Sequence, residues 1–119
     1  MRWYLAKIVY RIICGDGKHT PQFDEQLRLI QANDSFQAFQ KARLLGHREQ
    51  DNFLNTQEKP VHWKFLDVTE LLEINEFNDG LEIYSQIKEE PNAKLYINNI
   101  KKKANHLQQS SLEQAAYLN

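Results

Sequence analysis

Residues 61–74, with the sequence VHWKFLDVTELLEI, are the stretch around which the other elements of the chain are arranged. They are rich in β-branched and aromatic residues, which favour a strand. Apolar side chains alternate at the start of the stretch, and the alternation changes parity near Leu66. Because successive side chains of a strand point to opposite faces, this change predicts a β-bulge near Leu66 and Asp67. A strand that ends in a short helical turn over residues 70–74 is the competing interpretation.

Residues 3–14 are the clearest strand in the sequence. One parity is almost wholly apolar: Tyr4, Ala6, Ile8, Tyr10, Ile12 and Cys14. The other parity mixes apolar with basic residues: Trp3, Leu5, Lys7, Val9, Arg11 and Ile13. We therefore expect the first set to face the core and the second set to lie on a partly solvated face of a sheet.

Two hairpins are predicted, one on each side of a helix. The glycine-rich residues 15–19 supply a turn after the first strand, and residues 25–32 form the second strand. Residues 78–80, with the sequence NDG, are a strong turn signal, and apolar positions alternate again over residues 81–87. Residues 61–74 and 81–87 are therefore expected to pair. The polar segment between the helix and residue 61 is predicted to be an exposed loop.

The helix is predicted over residues 35–45, with a continuation to Glu49 as the alternative. Asp34 is the expected N-cap, with Gln37 at capping-box spacing. Gly46 is expected to end the helix, since glycine readily adopts the left-handed conformation found at helix C-termini. Phe36 and Phe39 are expected to insert into the core against the sheet.

The predicted fold class is α+β, with an antiparallel β-sheet in β-β-α-β-β order, one main helix packed on a face, and a C-terminal helix. Residues 1–90 form the predicted single domain. Residues 91–119 form a helical extension that packs on this domain or on a partner chain. Its main helix is predicted to run from Pro91 to about Leu107, followed by a short last helix over residues 112–118.

Composition indicates an ordinary globular protein and disfavours some partners. Of the 119 residues, 41% are hydrophobic and 26% are charged, and the net charge is −1. This balance gives no general field that would attract nucleic acid, which is therefore an unfavoured partner. No apolar run approaches the roughly 20 residues that span a bilayer, so no membrane role is expected. The single cysteine, Cys14, and the absence of a signal-like start predict a cytoplasmic location.

No catalytic residue, metal site or cofactor is predicted. The four histidines are scattered without the spacing of a metal site, and Cys14 has no second thiol. Residues 15–18 read GDGK, but His19 stands where a phosphate-binding loop requires Ser or Thr. A hairpin loop is the favoured interpretation there, and the chain is not expected to be an enzyme.

One group of residues predicts a binding surface on the sheet. Its candidate binding residues are Trp3, Lys7, Arg11, Trp63 and Tyr84, with Lys64 as a further neighbour. Aromatic and basic side chains on one sheet surface can stack bases and neutralise phosphates, as they do in single-strand binders. The favoured alternative is that both tryptophans are core residues and that the two cations pair with Glu82 across strands.

These pieces, taken in order, resemble a family of short bacterial proteins known as domain of unknown function 4288. The matching segments are residues 3–7 (WYLAK), the helix with its flanks over residues 34–46, residues 63–65 (WKF) and residues 82–85 (EIYS). The resemblance implies a one-domain bacterial protein and brings no catalytic residue and no ligand.

The predicted function is a non-catalytic binding or protein-interaction module that uses its open sheet face or an edge strand. Its partner would be another protein or a second copy of the chain, as in a homodimer. The alternative function is the binding of a small ligand or of single-stranded nucleic acid on the mixed aromatic and basic face.

Overall fold

The computed structural model describes residues 1–54 and 60–118. The chain divides into two compact units, Met1–Ile83 and Tyr84–Asn119. The elements in chain order are β1 (Arg2–Cys14), β2 (Gln22–Ala32), α1 (Ser35–Arg48), β3 (Asp51–Leu54), β4 (Pro60–Ile74) and α2 (Ala93–Leu118). The four strands form one antiparallel sheet in the spatial order β2-β1-β4-β3, so the first unit is an α+β domain as predicted.

The first hairpin is confirmed. β1 and β2 pair antiparallel in a continuous register from Arg2 opposite Ala32 to Ile12 opposite Gln22. β2 begins at Gln22, three residues before its predicted start. Gly15 and Gly17 in the connecting loop both have positive φ, at 59° and 79°, which explains the glycine-rich turn.

The predicted bulge in β4 is also confirmed. Val9 lies opposite Asp67 and Tyr10 lies opposite Phe65, so Leu66 has no direct partner on β1. A second register shift, between Lys7 and Ile8, adds a further irregularity to the same strand pair. β4 continues as a strand to Ile74, so the interpretation of residues 70–74 as a helical turn is wrong.

The remaining half of the predicted strand order is not matched. The turn before Leu81 forms, with Gly80 at φ 86° and Leu81 N donating to Asn78 O, but residues 81–87 are not a strand. Phe77, just before the turn, instead packs edge-on against the ring of Trp3 at 6.0 Å. The fourth strand is β3, which lies in the segment that was predicted to be an exposed loop. The rest of that predicted loop, residues 55–59, lies outside the described residues.

Helix α1 packs on one face of the sheet through small side chains. The buried residues of α1 recur every four positions: Ala38, Ala42 and Gly46. They bring the helix backbone close to the sheet, where it covers the predicted core face of β1: Tyr4, Ala6, Ile8 and Tyr10. The core prediction for β1 is therefore confirmed for these four residues, while Ile12 and Cys14 are half-buried.

Gly46 does not end the helix, because α1 continues to Arg48, within the alternative bound at Glu49. A Cβ on Gly46 would lie 2.3 Å from Cε1 of Phe65, so glycine is required by close packing rather than by a turn. The N-cap prediction is confirmed, since Gln37 N donates to Asp34 Oδ1 at 2.8 Å. Phe36 is 72% exposed and does not enter the core, whereas Phe39 packs against it as predicted.

The second unit contains α2, a single helix over the range predicted for two. Asn92 caps it, with Leu95 N donating to Asn92 Oδ1 at 3.0 Å. Every α2 side chain that the structure describes is exposed. Within the described residues, no helix is both long and apolar enough to cross a membrane. The predicted packing of this extension on the domain or on a partner chain stays a prediction.

Candidate interaction surface

The sheet face opposite α1, which we call the open face, is defined by the register of the three longest strands. Residues directly opposite one another in a ladder share a face, so each strand contributes its alternate residues. The central strand β1 contributes Trp3, Leu5, Lys7, Val9, Arg11 and Ile13. The open face of β2 consists of Phe23, Glu25, Leu27, Leu29 and Gln31, and β4 adds Lys64, Glu70, Leu72 and Ile74.

The open face is largely apolar and accessible. Four of its large apolar side chains are about half exposed: Phe23 at 54%, Leu27 at 44%, Leu29 at 52% and Leu72 at 53%. Leu29 and Leu72 both lie directly opposite Leu5, which is buried on this face. Exposed apolar side chains grouped on one face are typical of a surface that binds another molecule.

One cation lies within the apolar surface. The Lys7 ammonium lies 3.5 Å from Glu25 on β2 and 3.9 Å from Glu70 on β4. The prediction named Glu82 as the cross-strand partner of Lys7, whereas the observed partners are Glu25 and Glu70. Because two carboxylates flank the ammonium, its charge is balanced within the face, and Lys7 is poorly placed to attract a phosphate.

The two edges of the sheet differ in length and regularity. At one edge β3 is four residues long, whereas at the other edge β2 is eleven residues long. Natural edge strands are protected from pairing with other chains by shortness, proline, lysine or bulges. β2 has no proline, no lysine and no shift in its register with β1, and its charged residues are Asp24, Glu25 and Arg28. Among the described residues, β2 is therefore the longer and more regular edge.

A polar network lies on the helix-covered side of β2, beside the C-terminal end of α1. Asp24 Oδ2 accepts from Gln26 Nε2 at 2.7 Å and from Trp63 Nε1 at 3.1 Å. Gln26 Oε1 in turn accepts from Arg28 Nη1 at 3.1 Å. Arg28 completes the network with two hydrogen bonds to the Glu49 carboxylate, at 2.5 and 3.0 Å.

The electrostatics of this network are those of a structural ion pair. Hydrogen bonds from the Arg28 guanidinium lower the pKa of the Glu49 carboxyl, so the pair stays ionised near neutral pH. Nearby, burial raises the pKa of the Tyr10 hydroxyl, which donates to Gly46 O at 3.0 Å. Every one of these groups is satisfied by a neighbour, so the network fixes β2 to α1 and offers no free reactive group.

The structure separates the predicted binding residues. Trp3, Lys7 and Arg11 lie on the open face, at intervals of four residues along β1. Trp63 is directly opposite Ile12 and lies on the other face, where it packs against the core and donates to Asp24. The predicted surface that joins Trp63 to these three residues is therefore not formed, because Trp63 lies on the helix-covered face of the sheet. Tyr84 belongs to the second unit.

The interpretation of Trp63 as a core residue agrees with its position, while Lys64 takes its place beside Arg11 on the open face. Sequence reasoning missed the apolar residues of β2 as part of the surface. The sequence signal was present: Phe23, Leu27 and Leu29 occupy odd-numbered positions, and the polar residues Asp24, Gln26 and Arg28 occupy the even-numbered positions between them.

The glycine-rich loop is a hairpin loop, as the favoured interpretation had it. His19 reaches back into it: its Nε2 accepts from Cys14 N at 3.0 Å, and its Nδ1 lies 2.9 Å from Thr20 O. Asp16 Oδ1 accepts from Lys18 N, which is the local turn bond expected of aspartate. Within the described residues, no group of three or more His, Cys, Asp or Glu side chains is arranged to hold a metal ion.

The fold and this surface define a small α+β domain whose antiparallel sheet is covered by a helix on one face and open on the other. The chain belongs to the family described as a domain of unknown function, DUF4288, whose family model matches residues 3–85. The match nearly coincides with the first compact unit, Met1–Ile83. Neither a curated protein nor a solved structure matches the chain.

Proposed function

We propose that this domain is a non-catalytic protein-interaction module that binds an extended protein segment along β2 and the adjoining open face. The observation that carries the proposal is the exposed apolar surface of Phe23, Leu27, Leu29 and Leu72 beside an eleven-residue edge strand. An extended segment that adds to an edge strand gains main-chain hydrogen bonds, and its alternate side chains contact the sheet face. The partner is therefore a segment with apolar side chains at alternate positions.

The alternative function, binding of single-stranded nucleic acid or a small ligand, has less support. Such binders combine aromatic platforms with a positively charged groove. Here Trp63 is on the other face, and two carboxylates flank Lys7. The cytoplasmic location predicted from the single cysteine suits a module that binds other intracellular proteins.

A random-peptide phage library panned against the purified protein tests the proposal. We expect the recovered sequences to show apolar residues at alternate positions and to lose binding to Leu29→Lys. The matched control is Leu44→Lys, because Leu44 is also an exposed leucine but lies on α1. Peptides without alternation, or peptides that bind both variants equally, would contradict the proposed surface.

Titration of short oligonucleotides tests the alternative with the same protein. If the module binds proteins, tryptophan fluorescence does not change on addition of single-stranded DNA. Quenching that weakens with rising salt would instead support nucleic-acid binding, since neutralised phosphates release counterions.

A further inference from the structure

We infer that the segment bound at the β2 edge is β2 of a second copy of this chain, so that two four-stranded sheets join into one eight-stranded sheet. The inference rests on the proposed function and names its partner. Two identical strands pair antiparallel about a two-fold axis that runs perpendicular to the sheet. Directly opposite residues must share a face of the sheet. One residue of β2 therefore lies directly opposite its own copy across the axis, and we name each axis position by that residue.

Three axis positions near the middle of β2 can be compared. An axis at Arg28 would place two guanidinium groups directly opposite each other, which is unfavourable. An axis at Leu27 would place Leu29 against the charged Glu25. An axis at Gln26 places Phe23 opposite Leu29 on the open face, and it does so twice by symmetry. The same register also places Leu27 opposite Glu25, whereas the axis at Arg28 would pair Leu27 with Leu29. Apolar contacts alone therefore do not decide between the registers, and the charges on the helix-covered side do.

Charge complementarity favours the axis at Gln26. On the helix-covered side this register places Asp24 of one copy opposite Arg28 of the other, again twice. Opposite charges at directly opposed positions stabilise a strand pair, whereas like charges destabilise it. The axis at Leu27 lacks this match, because it places Asp24 opposite Ile30.

The end of the strand limits the register independently. Lys41 Nζ donates to the backbone carbonyl of Gln31, so this end of the edge is already occupied by a side chain from α1. The register centred on Gln26 pairs Gln22 with Ile30 at its two ends and leaves Gln31 outside. An axis at Leu27 would extend the ladder to Gln31 and to its occupied carbonyl.

The length and regularity of β2 are consistent with this use of the edge. The edge formed by β3 is short, and β4 carries two register shifts, but β2 pairs with β1 without interruption over its whole length. A long, regular and partly apolar edge is a ready template for another strand. The β2 strand of a second copy has the same length as the edge that it would pair with.

Disulfide trapping tests the register, in a chain whose native cysteine is replaced by Cys14→Ser. Directly opposite residues have Cα atoms about 4.5 to 5.5 Å apart, which is within disulfide reach. Gln26→Cys is therefore expected to form a covalent dimer in a glutathione redox buffer. Leu27→Cys is the matched control, because its diagonal distance to the same position in the second copy is roughly 7 to 8 Å and does not allow a bond.

Sedimentation of the unmodified protein at rising concentration accompanies the trapping. We expect the mass to approach that of a dimer, and Leu29→Lys to return it to the monomer while Leu44→Lys does not. A strict monomer would overturn the second copy as partner, whereas recovery of alternating peptides by panning would still support the proposed function. A dimer trapped by Leu27→Cys and not by Gln26→Cys would overturn the register.

Discussion

The two faces of the sheet are built from the same strands and differ in what covers them. On the helix-covered face, Ile8 is completely buried beneath α1, while on the open face Leu29 is about half exposed. Both are large aliphatic residues, and alternation along the strands alone decides which face each one occupies. Substitutions on the covered face should therefore reduce the free energy of unfolding, and substitutions on the open face should reduce association.

The largest effect is expected from Ile8→Ala. Ile8 is fully buried at the centre of β1, and its truncation should lower the free energy of unfolding by about 2 to 5 kcal/mol because of lost burial and a residual cavity. Urea denaturation, followed by circular dichroism in dilute protein, measures this loss.

Leu29→Ala is the matched control for Ile8→Ala on the open face. Because Leu29 is exposed in the single chain, its truncation should change the free energy of unfolding by about 0.5 kcal/mol or less in dilute protein. An equal loss of unfolding free energy in Ile8→Ala and Leu29→Ala would contradict the proposed difference between the two faces.

Gly46→Ala is expected to follow in size. The new methyl group would lie 2.3 Å from the Phe65 ring, and overpacking of this kind costs about 1 to 3 kcal/mol. The better helix propensity of alanine, about 1 kcal/mol, opposes this cost only in part. Thermal unfolding measures the net loss, and the variant should be partly rescued when Phe65→Leu removes the ring. A Gly46→Ala variant as stable as the wild type would show that α1 does not approach β4 so closely.

Tyr10→Phe probes the hydrogen bond between the covered face and the end of α1. Loss of the bond from the Tyr10 hydroxyl to Gly46 O should cost about 0.5 to 1.5 kcal/mol below pH 10. Burial raises the pKa of Tyr10 above its ordinary value of 10.0, so the folded state favours the neutral hydroxyl. This stabilisation is present below pH 10 and is lost as the pH rises through the raised pKa. The difference between wild type and Tyr10→Phe should therefore shrink in alkali, as denaturant titrations at several pH values would show.

The smallest effect is expected from the ion pair between α1 and the bulge of β4. Arg43 donates to both carboxylate oxygens of Asp67, at 2.9 and 3.0 Å, and these bonds lower the pKa of Asp67. A carboxyl with a lowered pKa stabilises the fold above its ordinary pKa, and the effect is lost as the pH falls through the lowered value. The pair is solvent-exposed, so Asp67→Asn should give a small loss at pH 7 that disappears in acid. Thermal unfolding at both pH values measures it, and a loss that persists in acid would point to another cause.

The local patterns of the sequence were enough to predict β1, β2, the start of α1 and a bulge near Leu66 and Asp67. Each depends on alternation, capping or turn chemistry within a few residues. Phe36 and Gly46 were misinterpreted because their roles depend on distant partners. Helix α1 packs on the sheet through small residues. Gly46 therefore leaves space for the Phe65 ring on β4, and the large Phe36 side chain stays exposed.

The long-range pairings could not be predicted from propensity. β3 is only four residues long and begins with Asp51 and Asn52, which are both poor strand formers, so its pairing with β4 overrides local preference. Residues 81–87 have the alternation of a strand and yet do not pair. The candidate surface was predicted in part. Trp3, Lys7 and Arg11 lie on it, but Trp63 does not, because the register of β4 before the bulge places Trp63 on the helix-covered face.

Hydrogen exchange of the backbone amides at low and high protein concentration tests the central claim most directly. If the open side of the sheet is where the protein binds a second chain, the amides of β2 should exchange more slowly at high concentration, while those of α1 and β3 remain unchanged. Exchange in β2 that is independent of concentration, or protection gained at β3 instead, would contradict the account.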